Sequence, residues 1–141
     1  PAGKVPLYNV VVYVPNSTNA ELEPITTGAS CDRCGVVSGK PLVTTITDAS
    51  GAFKLDNVPV GNNIPLVMQV GKWRRKIILP SVTACVNQPI TDLDGEGRPV
   101  TRLPRDKFEG DIPQMAISTG GLDAFECFLH RGQLLLAVDH L

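Results

Sequence analysis

The chain is written in short runs of β-branched and aromatic residues, each cut off by proline, glycine or asparagine before it can grow into a helix. Leu7-Tyr8-Asn9-Val10-Val11-Val12-Tyr13-Val14 stops at Pro15-Asn16 and reads as a strand ended by a turn. Residues 42–47 alternate into Asp48-Ala49-Ser50-Gly51 and resume at 52–55, the signature of a hairpin. Residues 64–70 make a strand with Ile64, Leu66, Met68 and Val70 on one face; Gly71-Lys72 turns the chain, and 73–79 returns until Pro80. Residues 101–103, before Pro104, read as a short edge strand, and 111–118 as one more. The stretches 16–41 and 86–99 read as loops, and the apolar run 133–138 is too short to assign.

The period changes only near the end. Ser118 or Thr119 can cap a helix over 120–131, with Leu122, Phe125 and Leu129 on one stripe and Gly132 as its stop. Turn signals at roughly 8–12-residue intervals therefore predict an all-β sandwich with a long loop in the N-terminal half and one short C-terminal helix.

Composition narrows the function classes. A 141-residue chain that is 43% hydrophobic has enough apolar material for one folded domain, spanning 1–141, and too much for intrinsic disorder. No run approaches the ~18 apolar residues of a membrane span, which argues against membrane insertion. Thirteen Lys and Arg against fourteen Asp and Glu leave a net charge of −1, so no overall field favours nucleic acid. The start at Pro1, without a targeting signal, reads as a processed or excised segment. Cys31, Cys34, Cys85 and Cys127 form an even set, which predicts two disulfides and an oxidising, extracellular setting. Of three pairings, the two that tie the Cys31/Cys34 loop to both later cysteines close longer loops and gain more; a Cys31–Cys34 bridge beside Cys85–Cys127 stays open.

Two motifs then carry a resemblance. Pro6-Leu7-Tyr8-Asn9-Val10-Val11-Val12 resembles the opening of carboxypeptidase regulatory-like domains. Thr47-Asp48-Ala49-Ser50-Gly51-Ala52-Phe53-Lys54-Leu55, followed by Val58-Pro59-Val60-Gly61, resembles their hairpin. The likeness spans about residues 3–80; the loop at 16–41 and the extension at 81–141 depart from it. It implies a seven-stranded Greek-key sandwich of the transthyretin-like (prealbumin-like) type. It also implies a non-catalytic role in folding, adhesion or assembly of secreted proteins. Thr101-Arg102-Leu103-Pro104-Arg105 and Glu109-Gly110-Asp111-Ile112-Pro113 resemble segments of large secreted or surface proteins of soil bacteria that carry this module.

Three constellations stand out as candidate sites. The Cys31-x-x-Cys34 pair reads as structural, because it sits in a Gly/Ser/Pro loop rather than at a helix start, and Cys85 and Cys127 are too far apart to complete a zinc site. Asp92, Asp94 and Glu96, with Gly97, have the spacing that opens a calcium loop, although Leu103 occupies the place of the closing bidentate Glu. Trp73-Arg74-Arg75-Lys76 sets the single tryptophan beside three cations, which suits a sugar or a polyanion. On a strand Trp73 and Arg75 share one face and Arg74 and Lys76 the other, so the same run also suits a packed Trp on a charge-guarded strand.

Catalysis has little to stand on. Intradiol dioxygenases share the sandwich and hold iron through two Tyr and two His, but Tyr8 and Tyr13 lie five apart on one strand, facing opposite sides, and His130 and His140 lack the required spacing. The expectation is therefore a non-catalytic extracellular or cell-surface structural module, a fibre subunit held by strand pairing or exchange. Its partners would be copies of itself or other surface proteins. The alternatives are a glycan- or polyanion-binding module and an accessory domain of a larger secreted enzyme.

Overall fold

In the computed structural model the described residues are 5–16, 22–26 and 37–114. Among them the chain is all-β, with no helix. Four strands, β1 (Val11–Val14), β2 (Val43–Ile46), β3 (Gly61–Val70) and β4 (Trp73–Val82), form one antiparallel sheet in the order β2-β1-β3-β4. The expected helix over 120–131 and the run at 133–138 lie outside the described residues.

The register explains why the two central strands are so apolar. Val12 faces Met68 and Thr45, and Leu66 faces Ile77, so Val10, Val12, Val14, Ile64, Leu66 and Met68 gather on one face as the core. Phe53, Leu55, Val58, Ile90 and Leu103 cover it from irregular segments. Burial of a side chain such as Leu66, fully shielded here, stabilises by about 1.5–3 kcal/mol. Tyr13 and Val67 are paired on the opposite face and are also fully buried. Sheets covered on both sides read as unbroken apolar runs, as β1 does here.

Two turns set the strand entries. Asn9, at φ 61°, donates its N–H to Thr47 O at 3.1 Å, while Thr47 N–H donates to Val10 O at 2.9 Å. Two residues thus face one across the pair, a β-bulge with Asn in the left-handed position. The Val10 N–H, displaced by the bulge, donates to Thr47 Oγ1 at 3.0 Å, and that hydroxyl donates to Leu7 O at 2.5 Å. In the 48–52 turn, Asp48 accepts from Ser50 N at 2.8 Å and Ala52 N at 3.0 Å. Gly51, at φ 75°, brings Pro6 so close that a Cβ would stand 2.9 Å from the proline Cβ. The two motifs that carry the family resemblance therefore meet here.

Several expected elements differ. Residues 52–55 do not pair with β2, whose partner is β1, because the Ala52 N–H is taken by the Asp48 carboxylate. Their alternation survives, with Phe53 and Leu55 half-buried against the core and Ala52 and Lys54 exposed. β3 begins at Gly61 rather than at Ile64, and β4 runs past Pro80 to Val82, which an edge strand tolerates. Val70 sits exposed at the end of β3. Residues 101–103 form no strand; of the strand expected over 111–118, residues 115–118 lie outside the described residues, and within 111–114 only Asp111 makes a bridge, to Arg74.

Thr47 closes the bulge while itself buried, so Thr47→Val leaves the Val10 N–H and Leu7 C=O without their partner. Chemical denaturation should show a loss of about 1–3 kcal/mol, with Thr47→Ser, which keeps the hydroxyl, close to the parent protein.

Candidate functional site

The basic run at the start of β4 divides between the two faces as its alternation requires, and its arginines are bound to the protein's own groups. Trp73 is half-buried and pairs with Val70. Arg74 has only 5% of its surface exposed. Its Nε donates to Asp111 Oδ2 at 2.7 Å and its Nη1 to Ser38 Oγ at 2.6 Å. The backbones of the same two residues exchange hydrogen bonds of 3.0 and 2.8 Å, so Asp111 is held twice. Beside Arg74 on this face, the Tyr13 hydroxyl donates to Gln69 Oε1 at 3.2 Å, and Gln69 Nε2 donates to Gly71 O at 3.1 Å. Burial pushes the Tyr13 phenol above its ordinary value, against the opposing pull of Ser38 and Arg74.

Arg75 turns to the other face and joins a network of arginines and carboxylates. Glu109 is its hub. Arg102 grips that carboxylate with both terminal nitrogens, one at 2.7 Å from Oε1. Arg105 adds Nη2 at 3.0 Å and its backbone N–H at 2.9 Å, and Arg75 Nη1 stands 3.9 Å away. Asp94 links the hub to the preceding turn: its Oδ2 takes Arg102 Nη2 and Arg98 Nε, each at 2.9 Å. Arg98 also pairs with Glu96, and Arg105 Nη1 lies 3.7 Å from the same carboxylate. Burial, and then the neighbouring Arg102 charge, pulls Arg75 below the ordinary arginine value. Its Nη1 and the Arg102 Nε are buried without a hydrogen-bond partner.

The same geometry assigns the Asp92-to-Gly97 segment. Asp94 Oδ1 accepts from the Glu96 and Arg98 N–H groups at 2.9 Å each, Asp94 N–H donates to Arg98 O at 2.8 Å, and Gly97 takes φ 72°. This is a self-capped hairpin turn closed by the Leu93–Pro99 bridge. Asp94 and Glu96 face arginines, Asp92 is exposed, and among the described residues no three His, Cys, Asp or Glu side chains are grouped to hold a metal. Cys85 is exposed in the turn after β4, at φ 57°, whereas Cys31, Cys34, Cys127, His130 and His140 lie outside the described residues. Tyr8 is exposed and Tyr13 buried, so the two tyrosines share no site.

Sequence reasoning missed the network and the clefts beside it. Arg98, Arg102 and Arg105 were visible as charges in an aperiodic stretch, and the four-residue steps from Asp94 to Arg98 and from Arg105 to Glu109 were local hints of pairing. Where the 107–114 segment crosses β4, two clefts open on either side of Gly110 and Asp111. One, of about 270 Å³, is lined by Lys72 and Lys107; the other, of about 360 Å³, by Arg74, Lys76, Lys107 and Phe108. Comparison of the chain with models of protein families, with curated proteins and with solved structures finds no match. No helix among the described residues is long and apolar enough to cross a membrane.

The Arg102 grip on Glu109 and the Arg98 and Arg102 bonds to Asp94 hold both carboxyls well below the usual carboxylate range. Depressed native pKa values contribute stability above the unfolded-state values of 3.8 and 4.5, and that contribution is lost as pH falls below them. Denaturation measured at stepped pH should show the unfolding free energy dropping between about pH 5 and pH 3, and Glu109→Gln should lower the neutral-pH value and flatten that acid limb.

Proposed function

We propose that this chain is a non-catalytic module of an extracellular or cell-surface protein, and that it assembles by strand pairing with copies of itself or with other surface proteins. The observation that carries this reading is the asymmetry of the two sheet edges. β4 is guarded: Asp111 already pairs with the Arg74 backbone, Lys76 adds charge, and Pro80 has no N–H to give. β2 has no strand on its outer side among the described residues. Inward pairing at Thr47, and with the two-residue alternation at Thr45 and Val43, turns the backbone groups of Thr44 and Ile46 outward. Ile46 is 54% exposed, and Leu7 and Tyr8, which approach Thr47 from the preceding segment, are exposed as well. An open edge with apolar side chains is what strand addition uses.

The resemblance to carboxypeptidase regulatory-like domains supports the same reading. On it, the four-strand sheet belongs to a seven-stranded Greek-key sandwich of the transthyretin-like type, completed by a short helix over 120–131. Cys31, Cys34, Cys85 and Cys127 then form two disulfides suited to an oxidising setting.

Size-exclusion chromatography with light scattering, followed by electron microscopy, tests the assembly. The parent chain should form concentration-dependent oligomers or filaments. Ile46→Lys, a surface change expected to alter stability by no more than about 0.5 kcal/mol, should leave a monodisperse monomer. A parent chain that stays monomeric at high concentration overturns the reading.

A further inference from the structure

We propose that the strand added at β2 is β2 of a second copy of this chain, running antiparallel about a twofold axis through Thr45, so that two copies close into a dimer with one continuous sheet. The inference rests on the strand-pairing reading above and narrows it to one partner and one register. The outward row of hydrogen-bonding groups on β2 is short. At its ends, Leu42 N–H donates to Val14 O and Thr47 N–H to Val10 O, each at 2.9 Å, so both are spent inward. Asp48 N–H donates to Ala52 O at 2.9 Å within its own turn. Thr44 and Ile46 are the residues left facing out.

An antiparallel copy presents the same two residues in reverse order. With Thr44 opposite Ile46 of the second copy, and Ile46 opposite its Thr44, both pairs exchange N–H and C=O groups. Thr45 then faces Thr45 of the second copy as the non-hydrogen-bonded pair between them. A slip of two residues toward either end sets Leu42 or Asp48 opposite an outward residue, and the N–H of each is already spent. A slip of one residue sets outward groups against inward ones. The register centred on Thr45 thus engages every outward donor of β2, and its neighbours do not.

Charge at the two ends of the strand selects a second copy as the partner. Lys40 precedes β2 and Asp48 follows it, both exposed, and neither forms an ion pair among the described residues. Everything from Pro41 to Thr47 is uncharged. In the register centred on Thr45, Leu42 stands opposite Asp48 of the second copy. Lys40 then lies two residues, about 7 Å, beyond that carboxylate, within reach of its side chain. The twofold axis makes this pairing twice, whereas parallel strands would set Lys40 beside Lys40 and Asp48 beside Asp48. Apolar surface matches in the same way: the exposed Leu42 comes to the end of the other β2, where that copy's exposed Leu7 and Tyr8 approach Thr47. Among the described residues the opposite edge of the sheet is closed at Arg74 by Asp111, so pairing through β2 stops at two copies.

Sedimentation over a concentration series, with isotope-filtered NMR on a mixture of 13C-labelled and unlabelled chain, tests the proposal. The parent chain should pass from monomer to dimer and no further, and the mixture should show a contact between the Thr45 Hα atoms of the two copies. Lys40→Glu, at an exposed position, should weaken the dimer by about fivefold to tenfold, whereas Lys54→Ala, at an exposed site paired with Asp56, should leave it unchanged. Assemblies that Ile46→Lys dissolves, but that grow beyond two copies or lack the Thr45 contact, overturn the twofold dimer and leave strand pairing standing. A parent chain that stays monomeric at high concentration overturns both.

Discussion

The central strands β1 and β3 bury side chains on both faces, and every other feature of the molecule answers that requirement. Neither face of the sheet can be left to water while Tyr13 and Val67 lie on one side and Val12 and Leu66 on the other. Four strands carry no second sheet of their own among the described residues. The covering layers are instead irregular: apolar side chains from 53–58, Ile90 and Leu103 on the core face, and the segments that hold Ser38 and Asp111 on the other.

Irregular segments lack a ladder to fix them, and this gives the buried charges their physical role. Between residues 86 and 110 the backbone bonds are short-range, as in Asp94–Arg98 and Asp106–Glu109. What ties these turns to the sheet is Ile90 and Leu103 in the core, with Arg75, Arg102 and Arg105 converging on Glu109. Such a network is a poor source of net stability, since each ion gives up hydration and two buried N–H groups stay unpaired. Its geometry is nevertheless demanding. A bidentate Arg102 accepts one placement of Glu109, and that placement sets the turn that holds Lys107 and Phe108. Arg74 does the same on the opposite face, where one guanidinium and one backbone position specify Asp111.

How much of this was legible in the sequence follows from the range of the interactions. Val11–Val14 and the alternation from Ile64 to Met68 were readable because a strand's burial pattern is local. The Asp48–Gly51 turn was readable because its bonds span four residues. The pairing partner of β2 was not, since the same alternation at Phe53 and Leu55 serves a strand or an extended covering segment equally well. The surroundings of the candidate sites were hidden for a related reason. Asp94 and Glu96 have the spacing of a cation loop, but only the fold brings Arg98 and Arg102 to them. Trp73-Arg74-Arg75 looks like an exposed basic patch until Asp111 and Glu109, more than thirty residues onward, are placed beside it.

The charge economy of β4 also separates the two ends of the molecule. Because Asp111 satisfies the Arg74 backbone, the outer edge of β4 is closed where the covering turn crosses it, and what that turn presents to solvent is side chains: the Lys107 ammonium and the Phe108 ring. β2, four residues long and pinned by the Asn9 bulge, keeps backbone groups turned outward instead. Among the described residues, one edge therefore offers hydrogen-bonding backbone and the other a charged and an aromatic side chain. On the proposed reading, a partner strand would therefore add at β2, away from the closed edge of β4.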